Sequence, residues 1–412
     1  MKIDQMKIKE CRACNNPIEE FMTFGQMPIA NDFMKEKKDN EYFFEMAPAF
    51  CNKCFTFQLV EQPEADMMFH EDYAFFSRQS KFMQIHFKEY ANWVLSNYSQ
   101  GDNDFIVELG SNDGIMLENF ANKGIKHLGV EPSQNVAMVA QEHGVNTEVS
   151  FFGYQTSKQI IENYGNASAI LAANVMCHIP DLNDIAKGAY NLLNEKGVLI
   201  FEDPYLGDML EKVSYDQIYD EHVYIFSAIS VQNIFGSHGF ELINLMPQTT
   251  HGGSMRYVFA KKGQRDIQPI VNEIIENEIS NGFDKESTYI KFKENCELSK
   301  KRFRDILIKA KDSNKTVAGY GATSKSTTIL NYCNVGPELI DFISDTTPIK
   351  QNTLTPGKHI PVLSYEYFKE NIPDVIILFA WNHANEIIQK EKDEIDKNVE
   401  WITHLPFFEL KL

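Results

Sequence analysis

The stretch DFIVELGSNDGIMLENFANKGIKHLGVEPS, residues 104–133, decides the fold of the middle of the chain. The apolar run at residues 106–109 predicts a short buried strand, which ends at Gly110. We expect a helix to begin near residues 113–114, and HLGVE predicts a second strand that ends on Glu131. A strand, a glycine-containing turn, a helix and a second strand make one βαβ unit of a parallel sheet.

The alternation of strands and helices continues after this unit. SAILAANV (168–175) predicts a strand, LNDIAKGAYNLL (182–193) a helix, and GVLIFEDPY (197–205) a further strand. Such alternation is typical of a doubly wound parallel sheet, so the predicted fold class is α/β. Asn174 and His178 lie at and just beyond a strand end, where ligands bind in such sheets. His178 alone is also compatible with a packing or capping role.

The first βαβ unit favours S-adenosylmethionine over NAD as its ligand. An acid at the end of the second strand, here Glu131, can accept hydrogen bonds from both ribose hydroxyls of a nucleoside. A single glycine precedes the helix and a third is missing, so the turn is not built around a pyrophosphate. An ordinary turn with a chance acid remains the alternative. The candidate cofactor-binding residues are Glu108, Gly110, Asn112, Gly114, Glu131, Pro132, Ser133 and Asn174.

Two pairs of cysteines near the N-terminus predict a metal site. CRAC and CNKC are C-x-x-C knuckles that contain Cys11, Cys14, Cys51 and Cys54. Two such knuckles can complete a tetrahedron of thiolates around zinc at Zn–S distances of about 2.3 Å. Four sulfur ligands leave no open position, so we expect this Zn²⁺ to stabilise a small domain and to take no part in the chemistry.

The last third of the chain predicts a second nucleotide-binding fold. KTVAGYGATSKSTTILNYCNV (315–335) reads as a strand, a G-x-G-x-x-S turn and a helix, and the next strand, LIDFISD, ends on an acid. Close backbone approach at the glycines, a helix N-terminus and a lysine suit a phosphate. A Rossmann-like module that binds nothing remains the alternative. The candidate substrate-binding residues are Gly319, Gly321, Thr323, Ser324, Lys325 and Asp345.

The segment YDQIYDEHVYIFS, residues 215–227, concentrates carboxylates, tyrosines and His222 among aromatic and β-branched residues. This composition predicts a partly buried segment, although a surface loop without a special role is the alternative. The segment follows the strand LIFED and can fold over the edge that faces the methyl donor. One edge for a methyl donor and another for a nucleotide carrier indicate a two-substrate enzyme.

Length and charge limit the other possibilities. A chain of 412 residues predicts two or three domains. Its 58 acidic and 39 basic residues, net charge -19, disfavour a nucleic-acid substrate because no basic stripe offsets them. No apolar run approaches the roughly 18 residues of a membrane span, and the charged N-terminus lacks the apolar core of a signal peptide. We therefore expect a cytoplasmic protein without a membrane partner.

The motifs together resemble a known family from end to end. They are FGQMPIANDF behind the first knuckle, VELGSNDGIML with GVEPS, AANVMCHIPD, YDQIYDEHVYIFS with HGGSMR, and AGYGATSKST with SDTTPIKQ and TPGKHIPV. The chain resembles the S-adenosylmethionine-dependent C-methyltransferases that act on nucleotide-linked 4-keto deoxysugars. The resemblance implies a zinc-binding domain (1–72), a class I methyltransferase domain (73–260) and a C-terminal Rossmann-like domain (261–412). A monomer is our working expectation.

The resemblance also implies the chemistry. In that family the carbon beside the ketone, usually C3, is deprotonated and then methylated. His222 corresponds to the base, Tyr219 and Glu221 to its neighbours, and Tyr73 and His178 to further members of the active site. A neighbouring carboxylate such as Glu221 is expected to orient the histidine, while a tyrosine or His178 stabilises the enolate oxygen. A sugar O-methyltransferase and a non-catalytic nucleotide-sugar-binding protein are the alternatives.

Overall fold

A computed structural model describes residues 7–68, 77–392, 395, 399–404 and 408–410. The N-terminal part consists of short antiparallel strands packed through buried aromatic and cysteine side chains. Its elements are β1 (Gln26–Pro28), β2 (Phe43–Glu45), β3 (Pro48–Phe50), β4 (Phe57–Leu59) and the short helix α1 (Ala65–Met68).

The middle part is a mixed sheet with helices on its faces. Its strands are β5 (Phe105–Leu109), β6 (Lys126–Val130), β7 (Thr147–Glu148), β8 (Ala167–Ala173), β9 (Leu193–Pro204), β11 (Phe240–Gln248) and β12 (Ser254–Lys261), while β10 (Tyr224–Ile225) lies outside it. Its helices are α2 (Lys81–Tyr98), α3 (Glu118–Ala121), α4 (Gln134–Glu142), α5 (Tyr154–Tyr164), α6 (Leu182–Leu192), α7 (Leu206–Lys212) and α8 (Ala228–Gly236).

The strand order in this sheet, among the described residues, is β11-β12-β9-β8-β5-β6-β7. Strands β5 to β9 run parallel, and β12 inserts antiparallel between β9 and β11. All five residues of β5 are buried, as expected of a parallel strand covered on both faces. The carboxyl ends of β5, β6, β8 and β9 therefore meet at one edge, where the predicted cofactor residues lie.

The helix predicted to begin near residues 113–114 was placed too early. Gly110 (φ 60°), Asn112 (φ 48°) and Gly114 (φ 74°) all have left-handed backbone conformations, which an α-helix does not accommodate. The chain therefore passes through consecutive turns, and α3 begins at Glu118.

The C-terminal part contains a second sheet, joined to the first by two long helices. The helices are α9 (Pro269–Ser280) and α10 (Glu286–Asp312), and the buried residues of α10, which include Phe292, Cys296 and Phe303, recur at helical spacing. The strands are β13 (Val317–Tyr320), β14 (Phe342–Ser344), β15 (Thr353–Leu354), β16 (Pro361–Leu363), β17 (Val375–Leu378), β18 (Glu400–Thr403) and β19 (Phe408–Leu410), with helices α11 (Ser324–Tyr332), α12 (Tyr365–Glu370) and α13 (Ala384–Glu391).

This second sheet has the order β15-β16-β14-β13-β17-β18-β19 in the part of the chain that is described. Its five inner strands are parallel and its two edge strands antiparallel. The α/β architecture with two Rossmann-like sheets behind a small cysteine-containing domain is thus confirmed, whereas the exact domain boundaries stay predictions. None of the helices in the described ranges is long and apolar enough to cross a membrane.

Candidate active site

The segment that carries His222 is held on one side by the N-terminal domain. Strand β10, directly after His222, pairs with β4 and becomes the third strand of the β3–β4 sheet. The backbone N–H of Ala30 donates to Asp220 Oδ1 (3.1 Å), and Asn31 Nδ2 donates to Glu221 Oε1 (2.8 Å). The cysteine-containing domain therefore contacts the predicted catalytic segment, residues 215–227, directly.

The C-terminal domain holds the same segment from the other side. Trp381 Nε1 donates to Asp216 Oδ2 (2.7 Å), and Thr328 Oγ1 on α11 donates to the carbonyl oxygen of Ile218 (3.0 Å). The segment is buried, as its composition predicted, and it lies where all three domains meet.

His222 is poised as a neutral imidazole. Its Nδ1 lies 2.7 Å from the carbonyl oxygen of Gln217, which can only accept, so Nδ1 carries the proton. Its Nε2 lies 2.8 Å from the hydroxyl of Tyr219, which donates to it. Burial, reinforced by the neighbouring His178, holds the pKa of His222 well below its usual range. The ring therefore presents a basic Nε2 at neutral pH.

Cys177 and His178, which follow β8, lie next to His222. The rings of His178 and His222 have centroids 5.1 Å apart. Burial lowers the pKa of His178 to about 4, so this imidazole is neutral as well. Cys177 Sγ and a nitrogen of each histidine lie within 4.8 Å of one another.

The expectation that Glu221 orients His222 is wrong. Both nitrogens of His222 have other partners, and the Glu221 carboxylate instead accepts from Asn31 of the N-terminal domain. Burial raises the pKa of Glu221, and Lys350 opposes the rise. The carboxylate thus joins two domains beside His222. Tyr73, predicted as a further catalytic residue, lies outside the described residues.

Glu131 closes the glycine-containing turn of the middle domain. Its Oε2 accepts from the backbone N–H of Asn112 (2.9 Å), and its Oε1 accepts from the backbone N–H of Ser133 (2.8 Å), with Pro132 between. Gly110 is required here, because a Cβ would approach Val175 Cγ2 to 2.5 Å. The side chain of Ser133 also hydrogen-bonds this carboxylate. Because a carboxylate has about four lone-pair sites, it keeps capacity for a ribose hydroxyl.

Glu108 tests whether this edge fits S-adenosylmethionine. The residue is buried at the carboxyl end of β5, and its Oε2 has no hydrogen-bond partner among the described residues. Burial and the nearby Asp113 and Glu131 raise its pKa well above the usual value. A ligand ammonium group would satisfy this oxygen, so the residues present fit a cofactor that carries an amino acid.

The remaining predicted cofactor residues line the same edge. Asn174 follows β8 in a left-handed conformation (φ 55°), and its backbone N–H donates to the carbonyl oxygen of Glu202 (2.7 Å). Gly114 packs against α4 and the following loop, since a Cβ would approach Ala140 and Val145 to 3.0 Å. The small size of Gly114 thus allows the turn between β5 and α3 to lie close to α4.

A buried ionic network at the end of β9 was missed by sequence reasoning. Glu202 Oε2 accepts from Arg256 Nη2 (2.8 Å), and Glu202 Oε1 lies 2.8 Å from His86 Nε2. Burial alone would raise the pKa of Glu202, but His86 and Arg256 outweigh it and hold the pKa below its usual value. The guanidinium also lies 3.6 Å over the ring of Tyr90. The sequence signals that could have indicated this network are Glu202 in LIFED and Arg256 in HGGSMR.

The four cysteines of the two knuckles converge as predicted. Cys11 Sγ lies 3.5 Å from Cys54 Sγ, and Cys14 Sγ lies 3.6 Å from Cys51 Sγ. All four sulfurs lie within 4.8 Å of one another. A zinc–thiolate tetrahedron has edges of about 3.8 Å for Zn–S bonds of about 2.3 Å. The arrangement therefore fits one four-coordinate zinc ion.

In the G-x-G-x-x-S turn of the C-terminal domain, as in the turn of the middle domain, an acid accepts hydrogen bonds from two backbone N–H groups. Asp345 Oδ2 accepts from the backbone N–H of Ala322 (2.7 Å), and its Oδ1 accepts from the backbone N–H of Thr347 (2.7 Å). Gly321 adopts a left-handed conformation (φ 93°). A Cβ on Gly319 would approach the ring of Phe379 to 2.7 Å.

The first residues of α11 face the other two domains. Thr323 caps the helix, and its hydroxyl accepts from the backbone N–H of Ser326 (3.1 Å). Ser324 Oγ donates to Asn31 Oδ1 (3.1 Å). Lys325 Nζ donates to the carbonyl oxygen of His251 (3.0 Å). The predicted phosphate lysine thus points toward the catalytic segment.

Comparisons with known families cover most of the chain. The "Putative zinc binding domain" family matches residues 11–69, the "Methyltransferase domain" family residues 63–245, and the "C-methyltransferase C-terminal domain" family residues 249–406. C-methyltransferase NovU from Streptomyces niveus is 32% identical over 404 residues, which is 97% of this chain and 96% of that protein.

Solved structures show a weaker and partial likeness. Magnesium protoporphyrin IX methyltransferase ChlM from Synechocystis with bound S-adenosylmethionine is 14% identical and has a TM-score of 0.33, covering 43% of this chain and 79% of its own. The CcbJ methyltransferase from Streptomyces caelestis is 12% identical with a TM-score of 0.34, covering 42% and 89%. Such low scores say nothing about substrate or mechanism.

The relative of similar length and the three matched families agree with the cysteine tetrahedron and with the two sheets. The chain therefore belongs to the S-adenosylmethionine-dependent C-methyltransferases that carry an N-terminal zinc-binding domain.

Proposed function

We propose that the protein methylates C3 of a nucleotide-linked 4-keto deoxysugar after His222 removes the proton from that carbon. The observation that supports this role most is the tautomer of the neutral His222 ring. Its proton is on Nδ1, which donates to the carbonyl oxygen of Gln217. The unprotonated Nε2 thereby faces the hydroxyl of Tyr219, and the ring of His178 lies next to the imidazole. A carbon beside a ketone is a weak acid, so its deprotonation requires a positioned base of this kind.

Tyr219 has a second task in this proposal. In the free protein its hydroxyl occupies His222 Nε2. A substrate that presents its C3 proton to Nε2 displaces this hydroxyl, which then donates to the ketone oxygen, where negative charge develops. His178 is the other candidate donor at this oxygen. Both groups are partly buried beside His222, which limits competition from water for their hydrogen bonds.

The carboxyl edge of the middle sheet holds the cofactor. Glu131 accepts the ribose hydroxyls, Glu108 accepts the amino group, and the turn at Asn112 lies between them. The chemistry that S-adenosylmethionine supplies when bound is an electrophilic methyl group. The chain contributes orientation and exclusion of water, because the segment at residues 215–222 covers this edge under both flanking domains.

The C-terminal domain holds the nucleotide end of the sugar donor. Asp345 has the same position relative to its turn as Glu131 has in the middle domain, and a ribose hydroxyl fits its remaining lone pairs. Gly319, Gly321, Thr323, Ser324 and Lys325 line the turn at the N-terminus of α11, which favours a phosphate. None of the seven cysteines, all of which lie in the described residues, forms a disulfide, and reduced cysteines are typical of the cytoplasm, the location that we propose.

The identity of the product tests the proposal. The protein is incubated with methyl-labelled S-adenosylmethionine and candidate nucleotide-linked 4-keto sugars, and the product is analysed by carbon NMR. We expect the label on a carbon bonded to C3 and loss of the original C3 proton. An ether-linked methyl group would identify an O-methyltransferase instead. Binding of the sugar without any methylated product would favour a non-catalytic binding protein.

Glu131→Ala is expected to weaken S-adenosylmethionine binding by about 1.5–3 kcal/mol, the range for a hydrogen bond to a charged group. The substitution also removes two acceptors of backbone N–H groups in the turn. Calorimetric titration measures the change. Asp345→Ala is the matched control, since it removes the equivalent acid of the other domain and should leave cofactor affinity unchanged. Unchanged affinity in Glu131→Ala would mean that the acid only braces the turn.

A further inference from the structure

The carbonyl oxygen of His251 connects the C-terminal domain to the catalytic histidine. Lys325 Nζ donates to this oxygen (3.0 Å), and Gln217 Nε2 donates to the same oxygen from the catalytic segment. The backbone carbonyl of Gln217 in turn accepts from His222 Nδ1 (2.7 Å). A lysine of the nucleotide-binding turn is therefore two hydrogen-bonded residues away from the base.

This carbonyl is held in place by an unusual backbone conformation. His251 has a positive φ of 54°, which non-glycine residues rarely adopt. Gly252 follows it, and a Cβ there would approach the ring of Trp381 to 2.4 Å. Lys212 Nζ donates to the carbonyl oxygen of Gly252 (2.6 Å). The turn is thus fixed from both domains, so the carbonyl of His251 is a rigid acceptor for Lys325.

An aromatic ring and one acid lie near the ammonium of Lys325. Lys325 is partly buried, and its Nζ lies 5.5 Å from the ring centroid of Trp381. The carboxylate of Asp216 is the acid that attracts it, and this carboxylate is already engaged by Trp381 Nε1. An ammonium in a partly dry site beside a neutral imidazole opposes protonation of that imidazole.

The groups that face His222 come from four elements of the described structure. They are His178 and Cys177 from the turn after β8, His251 from the turn before β12, Lys325 from α11, and Tyr219 with the acids of the catalytic segment itself. Burial lowers the pKa of His222, and His178, Lys325 and His251 lower it further. Lys325 is the cation among these groups that belongs to the predicted carrier-binding turn.

We propose that Lys325 is a positioning residue that makes His222 an effective base only when a diphosphate occupies the C-terminal domain. The inference rests on the proposed function and adds the reason why the sugar must arrive on a nucleotide diphosphate. With the domain empty, the ammonium rests on the His251 carbonyl and keeps His222 a weak base. A diphosphate neutralises the ammonium or draws it away, and the basicity of His222 rises toward the value at which a general base is most effective.

The experiment follows the protonation of His222 directly, with inorganic pyrophosphate as the probe. Full-length zinc-loaded protein is labelled with ¹⁵N-histidine, and the His222 signal is assigned by its loss in His222→Gln. Its titration is recorded with and without pyrophosphate at a concentration that saturates binding in calorimetry. The variants are Lys325→Met, which removes the charge, and Lys325→Arg, which keeps it. Lys311→Met, which removes a partly exposed lysine paired with Asp341, is the control for a lost charge.

In the wild type, we expect pyrophosphate to raise the titration midpoint of His222 by about one pH unit, the size of effect that one nearby charge produces. Lys325→Met should have the raised midpoint without pyrophosphate and respond little to it. Lys325→Arg and Lys311→Met should behave as the wild type. Absence of pyrophosphate binding, an unshifted midpoint in the wild type, or an equal shift in Lys325→Met would each overturn the proposal. If Lys325→Met does not fold, Lys325→Gln takes its place, because glutamine also removes the charge but keeps a donor for the His251 carbonyl.

The outcome is separable from that of the product analysis. An ether product with an intact pyrophosphate response would overturn only the assigned reaction. A C3-methylated product with no response of His222 would overturn only the coupling through Lys325.

Discussion

His222→Gln is expected to lower kcat for methyl transfer by about 10²–10⁴-fold, the usual contribution of a general base. Glutamine keeps a polar side chain of similar reach but has no basic nitrogen. KM for the sugar should change far less, because the imidazole acts mainly in the transition state. His222 is buried and both of its nitrogens are hydrogen-bonded to the protein. We therefore expect no water molecule in the variant to act as the base in its place.

The measurement is exchange of the C3 proton with deuterated solvent, followed by NMR in parallel with methyl transfer. Both should be lost together in His222→Gln. His238→Gln is the matched control, because its imidazole only bonds Asn183 (2.7 Å) outside the catalytic segment. Exchange at the wild-type rate in His222→Gln would rule out His222 as the base and direct attention to His178. Tyr219→Phe should cause a smaller loss, since it removes one hydrogen bond and keeps the ring.

The same residue predicts the pH dependence. Burial and the neighbouring His178 lower the pKa of His222 below the usual 6.5. The base acts in its neutral form, so kcat/KM should not fall as pH drops through 6.5 but only at the lower pH where His222 gains a proton. A pH–rate profile of kcat/KM, which reports the free enzyme, measures this limb. A limb at or above pH 6.5 would contradict the assignment.

Cys51→Ala is expected to release the zinc ion, unfold the N-terminal domain and abolish methyl transfer, although zinc takes no part in the reaction. Structural zinc contributes on the order of 10 kcal/mol of binding free energy in small zinc domains. Strand β10, which follows His222, pairs with β4 of this domain, and Ala30 and Asn31 hold the two acids before His222. Displacement of a base by about 1 Å can cost about 10²-fold in rate.

Metal analysis, thermal unfolding and kcat/KM together measure this effect. The wild type should contain one zinc ion per chain. Cys296→Ala is the matched control, because Cys296 is a buried free thiol on α10, away from the cluster. It should keep the zinc and most of the activity. Full zinc content and stability in Cys51→Ala, or activity that survives removal of zinc by a chelator, would contradict the prediction.

The sequence by itself determined the two sheets and the zinc ligands. Apolar runs such as residues 106–109 and the repeated C-x-x-C spacing are local signals, because the neighbours that they require lie a few positions away. The same locality explains the one misplaced helix start. The residues at 110–114 resemble the beginning of a helix, but Gly110, Asn112 and Gly114 adopt left-handed conformations that follow from packing against β8 and α4. The roles assigned to the site residues stay predictions.

The partners of His222 and of the acids beside it follow from the packing of the domains. Glu221 stands next to His222 in the sequence, yet its carboxylate bonds Asn31, 190 positions away. Asp216 bonds Trp381 at a separation of 165 positions, and Gln217 reaches the His251 carbonyl. Burial removes water as a partner for these polar groups, so their donors and acceptors come from segments that are distant in the sequence. Those partners are set by how the three domains pack, which no local pattern of residues encodes.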